Sequence, residues 1–145
     1  MSYLKAECWT YNSKCLEEPP EGYYGFIYMI TDDQGRTYYG KKAFTHTRKT
    51  KLSKKARVGT RKRIKVEQVD SKWLSYWGSC LPLLEYIKEK GSTKGFKRKI
   101  LKLTQDKQST AYWETYYLFK HDVLFDQSCW NGHILSRFYK NKIKD

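Results

Sequence analysis

The stretch "GFIYMITDDQGRTYYGKK", Gly25 to Lys42, decides the fold. Residues 24–30, "YGFIYMI", are rich in β-branched and aromatic side chains and read as a strand. "TDDQG" carries Asp and Gly, which tolerate the geometry of tight turns. Residues 36–40, "RTYYG", read as the returning strand. Side chains alternate faces along a strand, and Tyr28 and Tyr38 are equidistant from Asp33. A turn centred there pairs the two phenols across the ladder. A centre one residue away leaves them diagonal and still close. Alone, such a pair is ordinary packing, since tyrosine is favoured in strands.

Immediately after this hairpin, residues 41–65 hold twelve Lys/Arg and no Asp/Glu. The run is too charged to bury and reads as an exposed loop or ragged helix that binds phosphates. A merely solubilising loop would be better served by acidic residues. The whole chain carries 29 Lys+Arg against 15 Asp+Glu, a net charge of +14, which predicts a polyanionic partner. Nucleic acid comes first and an anionic membrane surface second. No stretch approaches the roughly 18 apolar residues of a membrane span, and no basic amphipathic helix stands out. The start, "MSYLKAECWT", has no apolar core of a secretory signal, so a cytoplasmic location is expected. The four cysteines are then expected as reduced thiols, and their irregular spacing makes zinc a weak idea.

The 145 residues suffice for one domain with a core, not for two. Residues 1–22 end in "LEEPPEG" and read as a connector. Residues 80–90 form a helix candidate, with Ser79 able to cap it, Pro82 in its first turn and Gly91 to end it. Leu81, Leu84 and Ile87 fall on one face. Residues 95–103 are a third strand candidate. Residues 106–120 make a second helix with Asp106 at its start. The tail after residue 121 has room for a further short helix. Of the glycines, Gly40 and Gly78 are the two candidates for a spatial requirement, and for Gly78 a plain loop before Ser79 is the preferred reading.

Glu114 lies within "AYWETYYLF", the most aromatic run. A carboxylate among large apolar side chains must be paired, hydrogen-bonded or bound to a cation. A salt bridge or simple exposure answers that need; so does a hard divalent ion held by one or two carboxylates.

"FIY" (26–28), "YYG" (38–40), the downstream Glu114 and the late Asn131 follow in one order. With "YWGS" and "YIKEKGSTKGFKRKIL", they resemble the GIY-YIG endonuclease family through most of residues 22–132, particularly short phage-encoded homing-nuclease-like members. The resemblance implies an α+β domain spanning 1–145, with a small three-stranded antiparallel sheet flanked by helices. A basic insertion at about 41–70 interrupts it, and no separate DNA-binding domain follows. It implies a metal-dependent hydrolase of DNA phosphodiesters using Mg²⁺ or Mn²⁺, one ion per site, in the cytoplasm of a phage-infected host. The substrate is double-stranded DNA and the protein a monomer or a DNA-induced dimer. By position, Tyr28 and Tyr38 line the site, one helping to deprotonate water. A free phenol has a pKa of about 10, so that role needs a lowered value or help from the metal. Lys41 follows Gly40, Arg48 falls where the family's arginine stands, Glu114 is the metal ligand, and Asn131 holds the site or the backbone.

Two features depart from the family pattern. Leu52 stands where a His or Tyr is frequent; Tyr76 is a candidate for that role and His46 a further one, although a solvent-exposed loop histidine is the better reading of His46. Arg57, Arg61 or Arg63 is an alternative to Arg48. Lys42, Lys49, Lys54, Lys55, Arg57, Arg61, Lys62 and Arg63 are the expected DNA-binding cations. The alternative function is nucleic-acid binding without catalysis.

Overall fold

The structure, a computed structural model, describes residues 8–144. The first seven residues, which belong to the expected connector and to the start that lacks a signal, lie outside them. The central hairpin is β3 (Gly25–Thr31) and β4 (Thr37–Ala43), close to the expected strands. Asp32 fixes its turn. It accepts from the backbone N–H of Gln34 and Arg36, both at 2.8 Å, and from Arg36 Nε at 2.7 Å. Burial opposes ionisation of Asp32, yet these donors and the Trp130 indole hold its carboxyl below the ordinary value.

The sheet has five strands, not the expected three, and it is mixed rather than antiparallel. β7 (Lys97–Thr104) pairs antiparallel with β3, giving the core β7-β3-β4. The extra strands come from the supposed connector. β1 (Trp9–Tyr11) and β2 (Lys14–Leu16) form a hairpin, and β1 adds to β7 in parallel. Burial drives that addition: Trp9 is fully buried against Phe26 and Tyr28, and its indole N–H donates to Trp73 O at 2.7 Å. The same hairpin brings Cys8 and Cys15 to a Cα separation of 5.8 Å, where they are joined as a disulfide. The expectation of four thiols is corrected; Cys80 and Cys129 are free.

Two helices cover the sheet. α1 (Leu81–Lys90) ends at Gly91 as expected, but its N-cap is Cys80 rather than Ser79. Its buried residue is Leu83, with Tyr86 and Ile87 packed on the same core; Leu81 is 70% exposed. The spacing 83, 86, 87 is the true helical face. This face carries Phe26, Tyr28, Ile30, Ile100 and Trp73. α2 (Lys107–Lys120) starts where Asp106 accepts from Ser109 N–H, and it seats Leu118 on the opposite face with Tyr39, Met29 and Leu101. The tail forms a short ribbon, β8 (His133–Ile134) with β9 (Phe138–Tyr139), instead of the helix allowed for it. No helix among the described residues is long and apolar enough to cross a membrane.

The basic run is exposed as expected, but only 52–63 is loop; the residues on either side form strands rather than a helix. β5 (Thr45–Lys51) and β6 (Ile64–Asp70) make a separate two-stranded ribbon, joined by a turn at 52–63. Its root is anchored by buried Phe44, packed on Phe26 and Trp73, and by Ser71 Oγ donating to Ala43 O at 2.6 Å.

Arg98 on β7 is buried, with its guanidinium 4.7 Å from the Trp9 ring and 4.3 Å from the Trp77 ring. It donates to Leu74 O at 3.0 Å and Tyr76 O at 2.7 Å. These bonds place the segment that carries Tyr76. Arg98→Met removes charge-assisted donors and cation–π contacts together, at an expected cost of about 3 kcal/mol. The denaturant midpoint of the purified variant checks this.

Candidate active site

The register centres the hairpin one residue beyond Asp33. Tyr28 lies opposite Gly40 and Tyr38 opposite Ile30, so the two phenols are diagonal neighbours on one face. Their ring centroids are 6.1 Å apart. A shift in the β3–β7 pairing at Ile27/Tyr28 sets Tyr28 over Ile100 and into the core. Its ring crosses the backbone of Gly40, where a Cβ would stand 2.6 Å from Tyr28 Cζ. Gly78, at φ +90°, lies beneath the Tyr38 ring, where a Cβ would meet Cε2 at 3.2 Å. Both glycines are spatially required, and the plain-loop account of Gly78 is corrected.

β4 is the edge of the sheet, and its outward polar groups must find partners. Thr37 N–H donates to Ser128 O at 3.0 Å, and Trp130 N–H donates to Thr37 O at 2.7 Å. The Asn131 amide bridges Tyr39: it accepts from Tyr39 N–H at 2.9 Å and donates to Tyr39 O at 2.8 Å. One step further, the Lys41 backbone N–H and ammonium lie close enough to the Glu114 carboxylate to favour its ionised form. Trp130 Nε1 donates to Asp32 Oδ2 at 3.0 Å, tying this segment to the hairpin turn. A single strand edge therefore fixes Asn131 and Glu114 relative to Tyr38.

The cleft along that edge has a volume of about 440 Å³. Tyr38, Ser79 and Cys80 line it from one face of the sheet, Glu114 and Leu118 from the other, and Trp130, Asn131 and His133 across the edge. Tyr28 is only 1% exposed and stands behind Tyr38 instead of in the cleft lining. Tyr76 packs edge-on against Tyr28, its ring centroid 5.9 Å away, and the Lys42 ammonium sits 4.1 Å from the Tyr76 ring centroid.

Burial, and then the neighbouring phenols of Tyr38 and Tyr76, push Tyr28 well above the ordinary phenol range. Burial likewise raises Tyr38 to about 12, against the opposing hydrogen bond with Ser79 at 3.4 Å. Burial raises Glu114 above its ordinary value, although Lys41 and His133 pull the other way. Both phenols are thus neutral at physiological pH.

Glu114 offers one carboxylate at an open cleft. Among the described residues no three His, Cys, Asp or Glu gather as a ready cage. This donor set suits a hard ion that keeps most of its waters and takes further oxygen from a phosphate. It does not suit structural zinc, which wants four protein ligands.

The structure brings Tyr28, Tyr38, Lys41, Tyr76, Glu114 and Asn131 together. It does not bring Arg48 or His46, which stand on β5. Arg48 donates to Glu67 at 2.7 and 3.0 Å across the ribbon. Arg57, Arg61 and Arg63, with Lys54, Lys55 and Lys62, fall at the ribbon turn, and Lys49 is exposed on β5. Among the described residues no arginine lines the cleft. His133 is the residue that sequence reading passed over. It lines the cleft, acts on Glu114, and has its Nδ1 fixed by Ser136 N–H at 3.0 Å.

Neither a curated protein nor a solved structure matches the chain. A family model does, described as "Putative endonuclease segE, GIY-YIG domain", over residues 9–143. That span takes in the hairpin, the ribbon, Glu114 and Asn131, and the chain belongs to this GIY-YIG endonuclease domain family.

Proposed function

We propose that the protein is a metal-dependent DNA endonuclease that hydrolyses phosphodiesters at the β4 edge. The observation that carries this reading is the convergence of Tyr38 and Glu114 on one open cleft, each set by the same strand. Glu114 would hold a Mg²⁺ or Mn²⁺ ion, and such an ion would supply charge to offset that of the phosphate and the leaving oxygen. Lys41 places a second cation beside Glu114. Tyr38 stays protonated and donates a hydrogen bond to a non-bridging oxygen of the phosphate, while the proton of the attacking water leaves to solvent. With its pKa pushed up to about 12, it positions rather than deprotonates. Tyr28, sealed in the core, supports the Tyr38 and Tyr76 rings. Asn131 holds the backbone of β4, and the ribbon cations hold the DNA by its phosphates.

The direct test is conversion of supercoiled plasmid to nicked circle with Mg²⁺ or Mn²⁺, stopped by EDTA. Full activity in excess EDTA sinks the metal role. A second reading, nucleic-acid binding without catalysis, draws on the lack of any arginine in the cleft lining. Absence of cleavage across metals and DNA substrates, with binding intact, selects it.

Tyr38→Phe keeps the ring and loses only a bond to Ser79. Its expected nicking rate is lower by about a hundredfold, with the thermal midpoint nearly unchanged. The pH dependence follows from Glu114, which must ionise to hold the cation. Because its pKa is raised, the rate falls with acidity above the ordinary carboxylate range of about 4.3. That acid limb persists in Tyr38→Phe, since the phenol titrates far higher. Rates from about pH 4, just below the ordinary carboxylate value, up to about pH 9 check both statements.

A further inference from the structure

The β5–β6 ribbon has two unlike faces. Cross-strand partners share a face, and the register puts Thr45, Thr47, Lys49 and Lys51 with Asp70, Gln68, Val66 and Ile64. All eight are exposed. On the other face Arg48 is neutralised by Glu67, and Glu67 and Val69 are half-buried. The first face is therefore the one turned outward. On it, Gln68 is pre-ordered: its amide donates to Thr47 Oγ1 at 2.8 Å and accepts from Thr45 Oγ1 at 3.2 Å. Ile64 and Val66 are 48% and 60% exposed there with no core to cover them.

We propose that this Thr/Gln/Lys face enters the major groove of duplex DNA and reads base edges, making the ribbon the specificity element of the protein. The proposal rests on the nucleic-acid reading above. Charge selects the partner: residues 45–70 carry ten Lys/Arg against Glu67 and Asp70, a net +8 of the chain's +14. A two-stranded ribbon by itself is marginal in water, so a partner that pairs with its surface stabilises it. Its dimensions select the groove. Two strands about 4.8 Å apart with their side chains fit a major groove about 12 Å wide and not a minor groove about 6 Å wide. The deep, narrow major groove of duplex RNA excludes such an element. The chemistry of the face suits base reading. Glutamine pairs with adenine, lysine with guanine, threonine with either, and an exposed valine or isoleucine meets the thymine methyl. The cations of the turn, Arg57, Arg61, Lys62 and Arg63, then straddle the flanking phosphates.

The test selects duplexes from a randomised pool with the full-length protein in EDTA. Bound sequences are compared for wild type, Thr47→Ala/Gln68→Ala and Arg61→Ala/Lys62→Ala. Wild type is expected to enrich a run of about five base pairs, with binding blocked by methylation of guanine N7 within it. The Thr47/Gln68 variant flattens about a tenfold preference at one or more positions and keeps plasmid affinity within about twofold. The Arg61/Lys62 variant weakens binding to all sequences and lowers the salt slope by about two. No enrichment, an unchanged preference in the Thr47/Gln68 variant, interference only at adenine N3 in the minor groove, or equal competition by duplex RNA each overturns the proposal. Major-groove interference without any cutting leaves it standing and fails the nuclease reading. Cutting without such interference does the reverse.

Discussion

Glu114→Ala is expected to lower plasmid nicking by about a thousandfold or more while DNA binding persists. The cations proposed to bind phosphate lie on the ribbon, outside the cleft lining, so affinity is not expected to depend on this carboxylate. Neither the sheet core nor a helix cap depends on it either. The metal-free protein in fact carries Glu114 at a cost. A carboxyl whose pKa is raised in the fold stabilises the fold below the unfolded pKa, and that stability is lost as pH rises through the folded value. Glu114→Gln should therefore raise the thermal midpoint of the metal-free protein at pH 7, and the gain should vanish near pH 4, around the ordinary carboxylate value. Mg²⁺ should raise the wild-type midpoint and not that of Glu114→Gln. The melting shift reads the site without any turnover. Nicking by Glu114→Ala at the wild-type rate removes Glu114 from the site.

A structural effect as large as that of Arg98→Met is expected at Gly40. A Cβ there lies 2.6 Å from Tyr28 Cζ and closer still to the hydroxyl. The Tyr28 ring cannot swing aside, because Trp9, Phe26, Tyr38 and Tyr76 surround it. Gly40→Ala is expected to cost about 3 kcal/mol through overpacking, a fall of about 10 °C in melting temperature at this chain length. Adding Tyr28→Phe removes the nearest atom, so the double variant should recover part of the loss. The double-mutant cycle measures that coupling. Additive losses would mean that the ring and the glycine do not press on each other.

The hairpin, both long helices and the third strand were legible because each is rich in apolar or aromatic side chains and has a turn or cap residue near its ends. The N-terminal hairpin was not. Its strands are three residues long, and its turn is Asn12-Ser13, both at positive φ without a glycine to advertise it. The ribbon hid for another reason: solvent reaches one whole face and much of the other, so no apolar alternation marks its strands. That concealment also decided the arginine. Ten residues beyond Tyr38 looks close along the chain, but the chain leaves the sheet at Phe44 and carries Arg48 to Glu67. Glu114 was legible as a carboxylate amid aromatic residues. His133 was not, because only the tail's return across the β4 edge brings it to the cleft.

The most direct measurement is a crystal structure of the protein with duplex DNA and Mn²⁺, using the anomalous signal to find the ion. The expected result is one ion on the Glu114 carboxylate, with the scissile phosphate between it and the Tyr38 hydroxyl. An ion held elsewhere, with the phosphate outside the cleft at the β4 edge, would contradict the assignment of this cleft as the catalytic site.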